Sequence, residues 1–104
     1  MRVGIRTTPQ AEAQALAAAA WWRRNRPAAP DLFTNELAGA FDLLARAPEI
    51  GHRFRHSRVP GVRRLMLPGT RYHVYYVYDE EGSECVILAV WSAVRGRAPR
   101  LRRP

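Results

Sequence analysis

The sequence predicts an α+β domain with the element order β-α-α-β-β-β, in which a helical hairpin packs on one face of a small twisted antiparallel sheet. Three observations lead there. Between Gly61 and Trp91 lie three runs rich in β-branched and aromatic residues, Val62–Leu67, Tyr72–Tyr78 and Cys85–Trp91, separated by the turn-forming segments Pro68–Arg71 and Asp79–Glu84. Ahead of them, two segments carry apolar residues at helical spacing. Only Pro27-Ala28-Ala29-Pro30 separates those two segments, and so short a link makes them antiparallel neighbours.

The elements follow in order. Val3 and Ile5 alternate with polar neighbours and predict a first strand over residues 2–7. Thr8 is a suitable helix cap, Pro9 fits the first helical position and Glu12 favours the positive end of the helix dipole. Ala13, Leu16, Ala17, Ala20 and Trp21 recur at the spacing of one helical face and are expected to be the buried one. Arg23, Arg24 and Arg26 fall in the last turn, where cations are favoured, and the helix is expected to stop near Asn25, before Pro27. Asp31 or the residue before it is the expected cap of the second helix, whose stripe is Phe33, Leu37, Ala40, Phe41 and Leu44 and whose end is marked by Pro48 and Gly51. Residues 49–61, with His52, Arg53, Arg55, His56 and Arg58, read as a basic connector.

Three strands complete the domain. On the middle strand Tyr72, Val74, Tyr76 and Tyr78 share one face and His73, Tyr75 and Val77 the other. Strict alternation on the last strand opposes Val86, Leu88 and Val90 to Cys85, Ile87, Ala89 and Trp91, and two apolar faces imply a central strand. The helices cover one side of the sheet and leave the other to bind or work. The single domain is expected over residues 1–97, and the basic tail 98–104 is expected to be disordered when the chain is alone.

Composition narrows the function. At 104 residues with 47% hydrophobic content the chain is one domain able to bury its own core. Cys85, the single cysteine, sits in an apolar strand, reads as a small buried residue, and excludes an internal disulfide or a cysteine-based zinc site. No signal peptide is recognisable and no apolar run approaches the roughly 20 residues that span a bilayer, so no membrane partner and a cytoplasmic location are expected. The net charge is +8, and all 17 basic residues are arginine. Such an excess implies a polyanion or an acidic protein as partner, and arginine's planar fork suits phosphate, carboxylate and aromatic faces alike.

The residues that could carry chemistry cluster in and after the sheet. Arg63 and Arg64 are adjacent on one strand and so project to opposite faces; one is free to meet a ligand, while the other is expected to meet solvent or a helix-surface acid such as Glu36 or Asp42. Arg71, Tyr75, Trp91, Arg95 and Arg97 complete the expected target-binding set. His73 is either a general acid or base beside Arg64 and Arg71 or a hydrogen-bonded sheet residue. The strand tyrosines either stack on a ligand or form half-buried core. The acids Asp79, Glu80, Glu81 and Glu84 gather in a hairpin turn as a solvated tip. Three histidines without well-placed carboxylates make no metal site, there is no phosphate-cradling glycine loop, and no cofactor is expected.

Several stretches taken together resemble one family. They are Thr8-Pro9-Gln10-Ala11, Asn25-Arg26-Pro27-Ala28-Ala29, Leu43-Leu44 to Pro48, Ile50-Gly51, Val62-Arg63-Arg64-Leu65, Tyr72-His73-Val74-Tyr75-Tyr76, Ile87-Leu88-Ala89-Val90-Trp91 and Arg95-Gly96-Arg97. Their order and spacing are similar to the RelE/ParE superfamily of toxins from bacterial type II toxin-antitoxin modules, over residues 3–97. The resemblance implies a cognate antitoxin that wraps and neutralises the toxin. It also implies one of two activities. RelE-like members cleave messenger RNA on the ribosome, which would assign the chemistry to Arg64, Arg71, His73 and Arg95; ParE-like members poison DNA gyrase without hydrolysis.

Residue content favours the second branch. RNA cleavage needs a proton acceptor and a proton donor besides cations on the phosphate, and arginine, with a pKa above about 12, supplies only the cations. The chain has no lysine and no tyrosine after Tyr78. A nucleic-acid-binding module without toxicity is the remaining alternative, for which affinity would fall steeply with salt.

Overall fold

The computed structural model describes residues 2–104 and contains β1 (Gly4–Thr7), α1 (Pro9–Asn25), α2 (Leu32–Arg46), β2 (His52–Arg53), β3 (Val62–Leu67), β4 (Tyr72–Asp79) and β5 (Glu84–Ser92). The α+β class, the helical hairpin and the three principal strands lie where the sequence puts them. The strands form one sheet in the order β1-β5-β4-β3-β2. It is antiparallel except at its edge, where β1 runs parallel to β5 with Gly4 opposite Glu84 and Thr7 opposite Ile87. The β3-β4-β5 meander uses one edge of β5 and leaves the other open; β1 fills it in the direction that lets the chain pass straight from Thr7 into α1, which packs on β5. The connector after α2 contributes one element beyond those expected, since His52 and Arg53 pair with Arg64 and Arg63. So short an edge strand offers little free backbone to a stray chain.

Thr8 caps α1 as expected: its side chain accepts a hydrogen bond from the Ala11 N–H at 3.2 Å, and Pro9 opens the helix. Thr8→Ala is expected to cost about 1 kcal/mol of stability, measurable by urea unfolding. The buried face of α1 is not the expected one. Ala11 and Ala18 are buried with Ala15, Ala19 and Trp22 packed beside them, whereas Leu16 is 67% exposed and Trp21 40%. Alanine surrounds this helix, so periodicity cannot choose its rotation; polar pins do. The Thr8 N–H donates to Ile87 O at 3.0 Å and the Thr8 hydroxyl to Leu88 O at 3.4 Å, while Gln14 Oε1 accepts from the Val90 N–H at 2.9 Å. These bonds satisfy the stretch of the β5 edge beyond the end of β1 and turn Gln14, with Ala11 and Ala18, to the sheet.

On α2 the predicted stripe holds, with Phe33, Ala40 and Leu44 buried and Leu37 and Phe41 packed against them. Asp31 precedes the helix, but its side chain makes no capping bond and lies 3.9 Å from Arg23 instead. On β4, Val74 and Tyr76 belong to the helix-side core with Tyr72 and Tyr78 beside them, and Tyr75 and Val77 to the opposite cluster. Strict alternation fails on β5. Tyr75 pairs with Ala89 and Tyr76 with Ile87, leaving Leu88 as an inserted residue. This β-bulge reverses the parity beyond it: Val90 joins Cys85 and Ile87 on the helix side, while Ala89 and Trp91 join Val86 and Leu88 on the other. Cys85 is fully buried, and burial pushes its thiol up to about 11, so it behaves as packing. Among the described residues no helix is long and apolar enough to cross a membrane.

The face away from the helices is itself partly covered. The segment 54–61 contributes Phe54 and the buried Val59, and the C-terminal tail lies alongside, with Pro99 buried and Leu101 packed on the same cluster. Two bonds hold the tail: Gln10 Nε2 donates to Arg100 O at 2.7 Å and Trp91 Nε1 to Arg97 O at 2.9 Å.

Candidate target-binding face

The two adjacent arginines of β3 part company as strand geometry requires. Arg63 turns inward: one guanidinium nitrogen donates to Glu49 O at 3.0 Å and Gly51 O at 2.9 Å, and another lies 3.5 Å from the Glu49 carboxylate. Its side chain is 16% exposed, so Arg63 braces the loop after α2 and is not presented to a partner. Arg64 turns outward and lies over the rings of Phe54 at 5.1 Å and Tyr75 at 5.9 Å. Tyr75 is 2% exposed and forms the floor under that guanidinium.

Neither helix acid meets these arginines. Glu36 accepts bonds from the Gly69 N–H, the Thr70 N–H and the Thr70 hydroxyl at 2.7, 2.9 and 2.8 Å, clamping the β3-β4 turn. Asp42 pairs with Arg2 at 2.7 Å and Arg46 at 3.3 Å, and the hydrogen bond from Arg2 holds its carboxyl below the usual range. The clamped turn delivers Arg71 in the left-handed region, at φ 61°, with its N–H donated to Leu67 O and its carbonyl accepting from the Ala93 N–H. Its side chain is exposed.

His73 pairs across the sheet with Met66 and Trp91, and its ring lies 5.9 Å from that of Tyr75. Burial, and secondarily the charge of Arg64, lower its pKa from the ordinary histidine value of 6.5. At neutral pH the imidazole is therefore uncharged and can accept a proton. Because the unfolded chain binds that proton more readily, His73's stabilising contribution is present above pH 6.5 and is lost as the pH falls below it towards the folded value. Urea unfolding between pH 5 and 8 is expected to show this decline, and His73→Gln to reduce it.

At the far end of the sheet Arg95 lies 4.3 Å from the centre of the Trp91 ring, with Arg97 at 6.0 Å. Arg71, Trp91 and Arg95 come together there, on a groove of about 820 Å3 whose other wall is the C-terminal half of α1. That wall brings in Trp21, which the sequence places on the expected buried face, Arg24 and Arg26, which it places at the helix dipole, and Trp22, for which it gives no role. Phe54, the platform under Arg64, carried no sequence signal, since it stands alone in a connector. Among the described residues no three His, Cys, Asp or Glu side chains cluster as a metal site.

The family model for "ParE toxin of type II toxin-antitoxin system, parDE" matches residues 5–96. No curated protein shows significant sequence similarity to the chain. Among solved structures, the chromosomal ParDE system of Pseudomonas aeruginosa is similar, with a TM-score of 0.66 and 22% identity over 88% of this chain and 96% of that one. The toxin-antitoxin complex RelBE2 of Mycobacterium tuberculosis gives a TM-score of 0.63 and 22% identity over 88% and 99%. A mutant of Escherichia coli RelE in the free state gives 0.59 and 17% over 90% and 86%. The structural likenesses establish the shared fold, and the family match covers nearly the whole length. The chain belongs to the ParE toxin family of type II toxin-antitoxin systems.

Proposed function

We propose that this toxin acts as ParE-like members do, by binding a protein target, DNA gyrase, and that it does not cut RNA. The observation that supports this reading is the proton inventory of the exposed face. His73 supplies a neutral base beside Arg64, Tyr75 is buried as floor, and among the described residues Arg64 carries the one charge that acts on the imidazole. A face that grips without a donor for the leaving oxygen suits recognition better than phosphodiester cleavage. In this reading Arg64, Arg71, Trp91, Arg95 and Arg97 form the contact set, with Arg63 and Tyr75 supporting it from beneath.

A cognate antitoxin holds the toxin inactive. The groove of about 370 Å3 between the two helices, bordered by Leu16, Leu37 and Phe41, supports docking of an amphipathic antitoxin helix. The purified toxin is expected to inhibit gyrase supercoiling and to leave ribosome-bound messenger RNA intact, with inhibition weakened by Arg64→Ala. Cleavage of that RNA with supercoiling untouched would replace this reading by the RelE-like one, which the adjacency of Arg64 and His73 favours. In that case His73→Gln should abolish cutting.

A further inference from the structure

The groove between α1 and the end of the sheet interleaves cations with aromatic rings. It gathers cations from separate parts of the chain: Arg24 and Arg26 at the end of α1, Arg71 from the β3-β4 turn and Arg95 from beyond β5. No Asp or Glu lines it, and none of these arginines joins an ion pair among the described residues. Between them lie the aromatic rings of Trp21, Trp22, Tyr72 and Trp91.

Two of the guanidiniums already rest on indole faces, Arg95 over Trp91 at 4.3 Å and Arg26 over Trp21 and Trp22 at 5.1 and 5.6 Å. Trp21 is 40% exposed, a large ring left towards solvent at the groove rim. The Glu36 clamp on Gly69 and Thr70 fixes the turn that carries Arg71, so this part of the rim is built rather than incidental.

We propose that this groove binds a short stretch of single-stranded nucleic acid, with bases stacked on the tryptophans and phosphates held by the arginines. A base and its phosphate use both halves of the lining at once, whereas an acidic peptide uses the arginines and leaves the ring faces idle. A duplex keeps its bases stacked on one another and cannot offer them to Trp21. The groove shares Arg71, Trp91 and Arg95 with the target-binding face, yet its occupancy by a strand requires neither gyrase nor the ribosome as target.

The test is titration of the full-length toxin with a fluorescein-labelled oligothymidylate, followed by anisotropy and by quenching of tryptophan emission across a salt series. Binding should weaken with salt at a slope of about −0.7 in log K per phosphate neutralised. The double variant Arg24→Gln, Arg26→Gln should lose about tenfold in affinity and flatten that slope. Trp21→Ala should lose about fivefold or more with the slope unchanged. The control pair Arg55→Gln, Arg58→Gln removes the same charge from the connector outside the groove and should stay within about twofold of the parent. Equal loss in the control, equally tight binding of duplex DNA, or displacement of the strand by polyglutamate at matched charge would each overturn the assignment.

Discussion

Phe33→Ala is expected to lower the unfolding free energy by about 3–5 kcal/mol, the largest single effect among these substitutions. Phe33 is 1% exposed in the first turn of α2, and its ring meets that of Tyr72 edge-on at 5.0 Å and 65°. It joins the start of the helix to the start of β4. Truncation removes a buried aromatic and opens a cavity that Leu37 and Phe41, held on the same helix, cannot close. A domain of this size has roughly 5–15 kcal/mol in all, so the variant would be marginal at 37 °C. Urea unfolding should show a lower midpoint at unchanged slope. A loss below about 1 kcal/mol would mean that other residues of the stripe hold α2 on the sheet.

Tyr76→Phe is expected to cost about 1–3 kcal/mol although it deletes a single oxygen. That hydroxyl accepts a bond from the Gly51 N–H at 2.9 Å and donates one to Pro48 O at 2.8 Å, tying the end of α2 to the centre of the sheet. Without it, the amide of buried Gly51 and the Pro48 carbonyl lose their partner. Burial raises the phenol pKa above its usual value, so the hydroxyl keeps its proton and remains a donor throughout the neutral range. Gly51 is glycine for the same reason: a β-carbon there would lie 2.7 Å from the Tyr76 oxygen and 2.8 Å from the ring. Amide exchange at Gly51 should accelerate in the Phe variant beyond the change at amides remote from the loop, and equal acceleration everywhere would assign the bond a global role only.

Which parts of the molecule were legible in advance follows from the kind of information each required. The stripe of α2 could be read because its large apolar residues Phe33, Leu37, Phe41 and Leu44 recur at helical spacing, with Thr34, Asn35, Glu36 and Asp42 off that stripe. The face of α1 could not, because alanine at 11, 13, 15 and 17–20 lies on every side of the helix and the choice was made by Gln14 and Thr8 bonding to β5, a strand more than seventy residues away in the chain. The face of β4 was undetermined for a similar reason, since both sides carry aromatics. Its partner β5 was misread beyond Leu88, where a bulge changes the parity without any change in residue type.

The same division runs through the candidate site. That Arg63 and Arg64 oppose one another was fixed by strand pleating. That Arg63 is the inward one depended on the carbonyls of Glu49 and Gly51, which the connector brings beneath it. Glu36 was expected on a side chain and was found on a turn, because the Gly69 and Thr70 amides of the tight β3-β4 reversal point at the first half of α2.

Local chemistry therefore determined the fold class, the two helices and the three principal strands, the basic character and the family, since propensity, capping and periodicity act over a few residues and are written in the order of the chain. Only the tertiary structure decided which face of α1 is buried, which arginines are spent on the scaffold, and that Trp21, Arg24, Arg71 and Arg95 share one groove. Those outcomes depend on contacts between segments far apart in sequence, and no local pattern records them.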